Sequence, residues 1–379
     1  MAEQIQRSSA ASNDDGDDDH ERMHALALLD GYVLPMTLMA AIELGLIDHL
    51  VAAEGRAVAV EELAARMPRP AEAAARVDRM LRFLASHSVL RCAVEVAPDG
   101  EERRSYAAAP VCKWLAVNAG KKDSLAPAAR MSLSKMFMDC WQYLKDTVLD
   151  GESSFQKAHG VTMFEYLRSN ESSNKLVNEG IACRSTITNR KFVELFGGFE
   201  GVAVLVDVGG GTGATLQMIK AKHKHLRGVN FDLPHVIPQS PPAEGVEHVG
   251  GNMFDNVPCG DAILLKFSAP SVQLSLNQCP WILHNWGDED CIKILKNCYT
   301  ALPANGKVIV LEHILPGTPE PTLAAQSGFG LDVIMLNRFG SGKERTEREY
   351  TELIKKAGFS GEFKATYIFN TFWALEFMK

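Results

Sequence analysis

Asp207, Gly209, Gly211 and Gly213 fall in one short run, Leu205-Val-Asp-Val-Gly-Gly-Gly-Thr-Gly213. An apolar β-branched stretch ends in an acid, breaks into glycines, and leads into the helix-friendly segment 214–222. Glycines there let the backbone approach a ligand closely and turn tightly into a helix whose first N–H groups are unpaired. Such a strand–turn–helix suits a nucleotide-like ligand. Gly209-x-Gly211-x-x-Ala214, with Asp232 after a second strand, fits the loose dinucleotide fingerprint. The acid-x-Gly-x-Gly-x-Gly spacing from Asp207 to Gly213 equally suits S-adenosylmethionine (AdoMet), which has no pyrophosphate to cradle. The run by itself leaves both ligands open.

The elements that must hold this loop are legible around it. Val204–Val208, Gly228–Phe231, Glu247–Gly250, Ala262–Lys266 and Lys307–Leu311 read as strands, with helices between most of them, notably Asp288–Leu302 and Thr346–Ala357. This alternation predicts an α/β fold with a doubly wound, Rossmann-like sheet whose ligands bind beyond the carboxyl ends of the strands. Phe363–Phe369 and Phe372–Phe377 predict a terminal antiparallel hairpin, which is typical of methyltransferases and unusual in dehydrogenases.

Ahead of this lies a region of different texture. Residues 21–122 are rich in Ala, Leu, Met and Arg, with short amphipathic helices at Val60–Met67 and Ala71–Leu90. A hairpin from Arg91 to Val111 turns at Pro98-Asp99-Gly100. Helices plus a hairpin resemble a winged helix. The chain of 379 residues has 39 basic and 47 acidic residues, a net charge of −8. That balance argues against nucleic acid and favours a dimerisation module. Hydrophobic content of 46% and charged content of 23% suit a soluble protein. The eight cysteines show no zinc-like spacing, which predicts reduced thiols and a cytoplasmic location. Residues 1–20 carry an acidic run without an apolar core and read as a disordered tail, neither signal nor transit peptide. Leu28–Val51 is apolar but interrupted by Asp30, Glu43 and Asp48, so it reads as a buried or interface helix and not a membrane span. The expected division is thus 1–20, 21–122 and 123–379.

Several motifs together resemble the plant O-methyltransferases that act on small phenols, in the caffeic acid and flavonoid branch found in grasses. They are Leu205–Gly213, Asn230-Phe-Asp-Leu-Pro-His-Val236, Gly245-Val-Glu-His-Val-Gly-Gly251, Trp281-Ile-Leu-His-Asn-Trp286, Lys343-Glu-Arg-Thr346, Leu34-Pro-Met-Thr-Leu38 and Ala108-Ala-Pro-Val-Cys-Lys-Trp114. The resemblance spans nearly everything after the tail. It implies an obligate homodimer, AdoMet as methyl donor, no metal, and transfer to a phenolic hydroxyl. It implies His284 as general base, with Glu312 and Glu344 holding the imidazole and stabilising its cation. On the cofactor side it implies Gly209 and Gly211 in the glycine loop and Asp232 on the ribose hydroxyls. Leu233, Met253 and Trp286 would flank the adenine, with Lys266 nearby.

The chain departs from that family in three places. Most relatives have Asp where this chain has Asn252, whose neutral amide lacks charge assistance toward the adenine amino group, so weaker AdoMet binding is expected. Relatives pass directly from the equivalent of Lys266 to that of Trp281, whereas here Phe267–Pro280 intervenes. A loop of that size costs roughly 2 kcal/mol to close, but it enters next to the catalytic segment. It reads as a splice or gene-model product, with a genuine lid loop or a catalytically impaired homodimer as alternatives. Third, the caffeate-type pocket residues His, Phe, Phe, Met, His and Asn are replaced by Leu167, Ser173, Val177, Ile181, Arg184 and Phe339, and an early Asn by Ser132. Met131, Met163, Ile334 and Met335 remain as adaptable apolar walls. This set predicts an acceptor with less side-chain polarity than caffeate, a flavonoid first and a hydroxycinnamate second.

Overall fold

A computed structural model describes residues 13–98, 100–117, 123–266 and 282–379. Two compact units emerge, residues 1–126 and 127–379. The break falls four residues beyond the expected boundary at 122 (126 − 122), at the dipeptide Ala126-Pro127.

In the first unit the helix Asn13–Leu29 begins inside the stretch expected to be a disordered tail. Arg22 pairs with Asp18 and Asp19 one turn earlier, which supports a helix there despite the local excess of acid. The apolar stretch 28–51 forms separate helices, Val33–Glu43 and Leu46–Ala52, not one. Gly45 separates them in the left-handed region at φ 69°, which a glycine adopts without strain. Among the described residues no single helix is long and apolar enough to cross a membrane. The strands β1 (Val58–Ala59), β2 (Leu90–Val96) and β3 (Glu102–Ala108) make a small antiparallel sheet in the order β1-β3-β2. The predicted hairpin is β2–β3, in register from Leu90 opposite Ala108 to Val96 opposite Glu102. The helix Pro70–Ser86 buries Val77, Leu81 and Leu84, spaced at i, i+4 and i+7.

The second unit is built on a mixed sheet. Its strands are β4 (Val204–Val208), β5 (Arg227–Asp232), β6 (Val246–Gly250), β7 (Ala262–Lys266), β8 (Lys307–Leu315), β9 (Arg345–Thr346), β10 (Phe363–Phe369) and β11 (Phe372–Met378). The order is β10-β11-β8-β7-β4-β5-β6, with β9 paired to β8. Strands β4 to β8 run parallel, and β11 pairs antiparallel with β8. Strand alternation splits the core into two clusters. Leu205, Leu264, Ile309 and Leu311 belong to one, and Val206, Val208, Ile263, Leu265, Val308 and Val310 to the other. The winding reverses at β4, which lies between β5 and β7. The carboxyl ends of those strands carry the glycine loop, Asp232 and Lys266, where an open α/β sheet binds its ligands.

Candidate active site

His284 lies on a one-turn helix, Leu283–Asn285, just before the helix Asp288–Ala301. Glu312 projects from β8, and Glu344 directly precedes β9. These three side chains, distant in sequence, are brought together and buried. His284 Nδ1 lies 2.6 Å from Glu344 Oε1 and 3.9 Å from Glu312 Oε2. Glu312 Oε1 also accepts from the Leu283 backbone N–H at 3.1 Å, so it fixes the turn as well as its charge. The ligand atoms of the three lie within 4.8 Å of one another, a spacing a cation could also use. The hydrogen bond on Nδ1 orients the imidazole ring between the two acids.

The electrostatics follow from burial and the paired acids. Burial opposes a charged imidazole, but Glu344 and then Glu312 outweigh it, and the His284 pKa rises above its ordinary value. Burial pushes Glu312 up to about 7 against the pull of His284. Glu344 suffers the same burial, yet the histidine cation and its hydrogen bond hold its carboxyl below the usual range. Tyr350 is fully buried in the same core, and desolvation beside both acids drives its hydroxyl well above 10.

Sequence reasoning gave no role to Arg345, although it sits in a quoted motif. Its fully buried guanidinium donates to Leu283 O at 2.8 Å, Trp286 O at 2.9 Å and Asp288 Oδ1 at 2.8 Å. It therefore clasps both sides of the His284 turn. The Lys343 N–H adds a bond to His284 O at 2.9 Å, and the Glu344 N–H binds Asp332 Oδ1 at 2.8 Å. Carbonyls flanking a histidine, plus an arginine beside a glutamate in the sequence, give no one-dimensional cue to this arrangement.

The predicted cofactor residues also converge. Gly209, Gly211 and Gly213 all have positive φ, and a Cβ on Gly210 would fall 2.1 Å from Asn230 Oδ1. Asp232 Oδ1 accepts from the Leu233 N–H at 2.7 Å and Oδ2 from the Gly211 N–H at 2.8 Å. Each oxygen keeps a further lone pair, so the carboxylate can also receive a ribose diol. Asp207 and Lys266 form a fully buried ion pair at 3.2 Å beneath the loop, and burial raises the Asp207 pKa. Trp286 packs edge-on to Phe254 at 5.0 Å, and among the described residues its buried indole Nε1 has no hydrogen-bond partner. Met253 stands next to Phe254, its carbonyl held by Asn297 at 2.8 Å. Asn252 is engaged within its own turn: Oδ1 accepts from the Phe254 N–H at 3.1 Å, and Nδ2 donates to Asp255 at 3.1 Å. These residues fit AdoMet.

Of the predicted acceptor residues, Met131, Met163, Leu167, Val177 and Ile181 fall in one buried apolar cluster, with Phe339 packed against it. Phe339 leans on Phe164 with ring centroids 5.9 Å apart. Met335 is buried on the helix Leu323–Phe339, and Ile334 and Arg184 are partly exposed. The segment Phe267–Pro280 lies outside the described residues.

The fold and the glycine loop define an AdoMet-dependent methyltransferase. The chain belongs to the O-methyltransferase family: its O-methyltransferase domain matches over residues 141–360 and the family's dimerisation domain over 26–118. It is 59% identical over 365 residues to naringenin 7-O-methyltransferase of Oryza sativa subsp. japonica, covering 94% of each chain. It is 52% identical to caffeic acid 3-O-methyltransferase of Zea mays, covering 96% of this chain and 97% of that one. The human N-acetylserotonin methyltransferase structure, in complex with AdoMet, aligns at TM-score 0.75 and 21% identity over 98% of this chain and 99% of that one, a likeness of fold. Membership excludes the dinucleotide reading of the glycine run.

Proposed function

We propose that this chain, as a homodimer, methylates a phenolic hydroxyl of a flavonoid-type acceptor, with His284 as general base. The observation that carries the reading is the buried His284–Glu344 pair at 2.6 Å, backed by Glu312. A phenol with a pKa near 10 is mostly protonated at neutral pH and a poor nucleophile. With Nδ1 bound to Glu344, Nε2 takes the phenolic proton as the oxygen attacks, and the two acids stabilise the resulting imidazolium. AdoMet, when bound, supplies an electrophilic methyl carbon in line for displacement. Gly209, Gly211 and Asp232 would hold its methionine and ribose parts, Leu233, Met253 and Trp286 its adenine. Lys266 fixes Asp207 below the loop, and Asn252 sits at the adenine end. No metal is required by this scheme. The apolar wall of Met131, Met163, Leu167, Val177, Ile181, Ile334, Met335 and Phe339 suits a flat aromatic acceptor. The dimer reading rests on the dimerisation-domain match.

A hydroxycinnamate acceptor is the second reading, favoured by the 52% identity to a caffeic acid enzyme. Transfer from labelled AdoMet to a panel of flavonoids and hydroxycinnamates, by the full chain and by one lacking Phe267–Pro280, tests both. The proposal expects a flavonoid to be methylated fastest. A caffeate rate above every flavonoid overturns that acceptor class. Activity only after deletion makes the written chain an impaired form of the same enzyme.

A further inference from the structure

Arg184 occupies the helix Glu171–Leu195, one turn beyond Ile181 and two beyond Val177. That spacing places the three on one helix face. Val177 and Ile181 are buried among Met131, Met163 and Leu167. The helix is pressed against this wall, since a Cβ on Gly180 would lie 2.6 Å from Met131 Cβ. Arg184 stays partly open to solvent, yet burial lowers its pKa from the ordinary guanidinium value. The side chain thus keeps some contact with water while the surrounding protein removes much of its hydration. Its charge also weighs on His313, the residue after Glu312 on β8, whose ring lies over Phe372 with centroids 3.7 Å apart. Arg184 therefore continues the face of the apolar wall, and its charge reaches the strand β8.

Among the described residues no carboxylate pairs with Arg184, and no acceptor binds its guanidinium. Arg345, which is fully buried, is satisfied by two carbonyls and Asp288. A guanidinium is always charged and presents N–H donors in a planar fork. Leaving it largely desolvated without a protein acceptor is unfavourable, so a ligand acceptor at this position would be favoured. The group that matches the fork is a planar, electron-rich oxygen.

We infer that Arg184 is a specificity-determining residue of the acceptor pocket, binding a carbonyl-type oxygen, ketone or carboxylate, that the acceptor carries away from the hydroxyl being methylated. This rests on the reading of the Val177–Ile181 face as the acceptor wall. It also refines the expectation of an acceptor with less side-chain polarity than caffeate: the wall holds one strongly polar point, and it selects.

The experiment compares wild type with Arg184→Met and Arg184→Lys on three phenols: naringenin (ketone), caffeate (carboxylate) and eugenol (neither). Losing a charge-assisted hydrogen bond should lower kcat/KM about tenfold or more for Arg184→Met on the ketone, the carboxylate or both. The loss on eugenol should be at least tenfold smaller, and Arg184→Lys should recover part of the difference. The acceptor with the larger loss tells whether a ketone or a carboxylate is the natural partner. Arg184→Met should melt no lower than wild type, since it removes an unmatched charge, and should bind AdoMet equally well. Equal losses on all three phenols, or none, overturn the inference. If wild type turns over no phenol, the same ratios are read as acceptor Kd in the presence of S-adenosylhomocysteine, with the same criterion. A wild type that prefers caffeate or eugenol overturns the flavonoid reading alone, because the Arg184 inference is judged by the ratio of variant to wild type.

Discussion

The His284 turn and the proposed acceptor wall are both buried, but they are built by opposite means. The turn is fixed by polar bonds from three directions: Glu312 to the Leu283 N–H, Arg345 to Leu283 O and Trp286 O, and Glu344 to the ring. The wall is an apolar cluster in which Val177, Ile181 and Met131 are held by packing, beside one guanidinium that has no partner among the described residues. Directional bonds fix an atom to within tenths of an ångström, as proton transfer needs. Packing of Met and branched aliphatics fixes shape but tolerates substitution. A family can therefore keep one chemistry and change its acceptor by altering only the wall.

The sharpest break in that contrast is His284 itself. His284→Ala should lower kcat by about 10²- to 10⁴-fold, the usual worth of a general base, while AdoMet binding, measured by calorimetry, stays near wild type. A substitution on the wall, Ile181→Val, should change kcat less than tenfold and alter mainly the ranking of acceptors. If both cost the same, the division between a rigid chemical turn and a permissive wall is wrong.

Next in size is Arg345, through which the turn's position is tested. Arg345→Met removes the charged donor from two carbonyls, leaving Trp286 O only the weak Cys291 thiol and Leu283 O that thiol and the long Trp286 N–H bond, and each such loss costs about 1–3 kcal/mol. A destabilisation of about 3 kcal/mol in urea unfolding is expected, with kcat falling on the order of tenfold or more and the acceptor KM changing little. A KM effect larger than the kcat effect would mean that Arg345 shapes the wall and not the turn.

How much of this was legible in the sequence follows the same line. The strands β4 and β7 matched their predicted limits because apolar, β-branched runs buried on both faces end abruptly at Asp207-Val208-Gly209 and at Lys266. The terminal hairpin was legible as two strands joined by a tight turn, which falls at Asn370-Thr371 with Asn370 at φ 55°. The helix over Asn13–His20 was not, because composition reports the acidic excess and not the Arg22 pairings. His284, Glu312 and Glu344 were accessible through resemblance, whereas Arg345 was invisible: its partners are backbone carbonyls, which every residue possesses. Arg184 was seen as a substitution, but only the structure shows that nothing in the described protein answers its charge.

A smaller effect is the pH dependence of the turn. The pKa of His284 is raised when folded, so the stability it contributes is complete below the ordinary value near 6.5 and lost as pH rises through the raised one. As the proposed base it would work only when neutral, so the rate of transfer should climb over the same window. Glu344→Gln removes the strongest attraction on the imidazolium. The rising limb of the kcat/KM profile should move to lower pH and its plateau should fall. An unmoved limb would assign it to another group, with Glu312, at about 7, the nearest candidate.

The smallest expected effect lies at Asn252, on the cofactor side, and its sign depends on a neighbour that the sequence comparison ignored. Asp at this position would offer charge assistance to the adenine amino group. But the Asn252 amide now donates to Asp255 at 3.1 Å, so a carboxylate there would face another carboxylate across a hydrogen-bond distance. Repulsion would raise the pKa of one of them and spoil the turn that positions Met253 and Phe254. Asn252→Asp alone should therefore change AdoMet Kd by less than about threefold, whereas in an Asp255→Asn background the same change should tighten it by about threefold to tenfold. The coupling between the two sites, read from a double-mutant cycle of AdoMet affinities, decides the matter. A full gain from Asn252→Asp alone would show that the turn relaxes freely, placing this corner of the cofactor site with the permissive wall and not with the rigid turn.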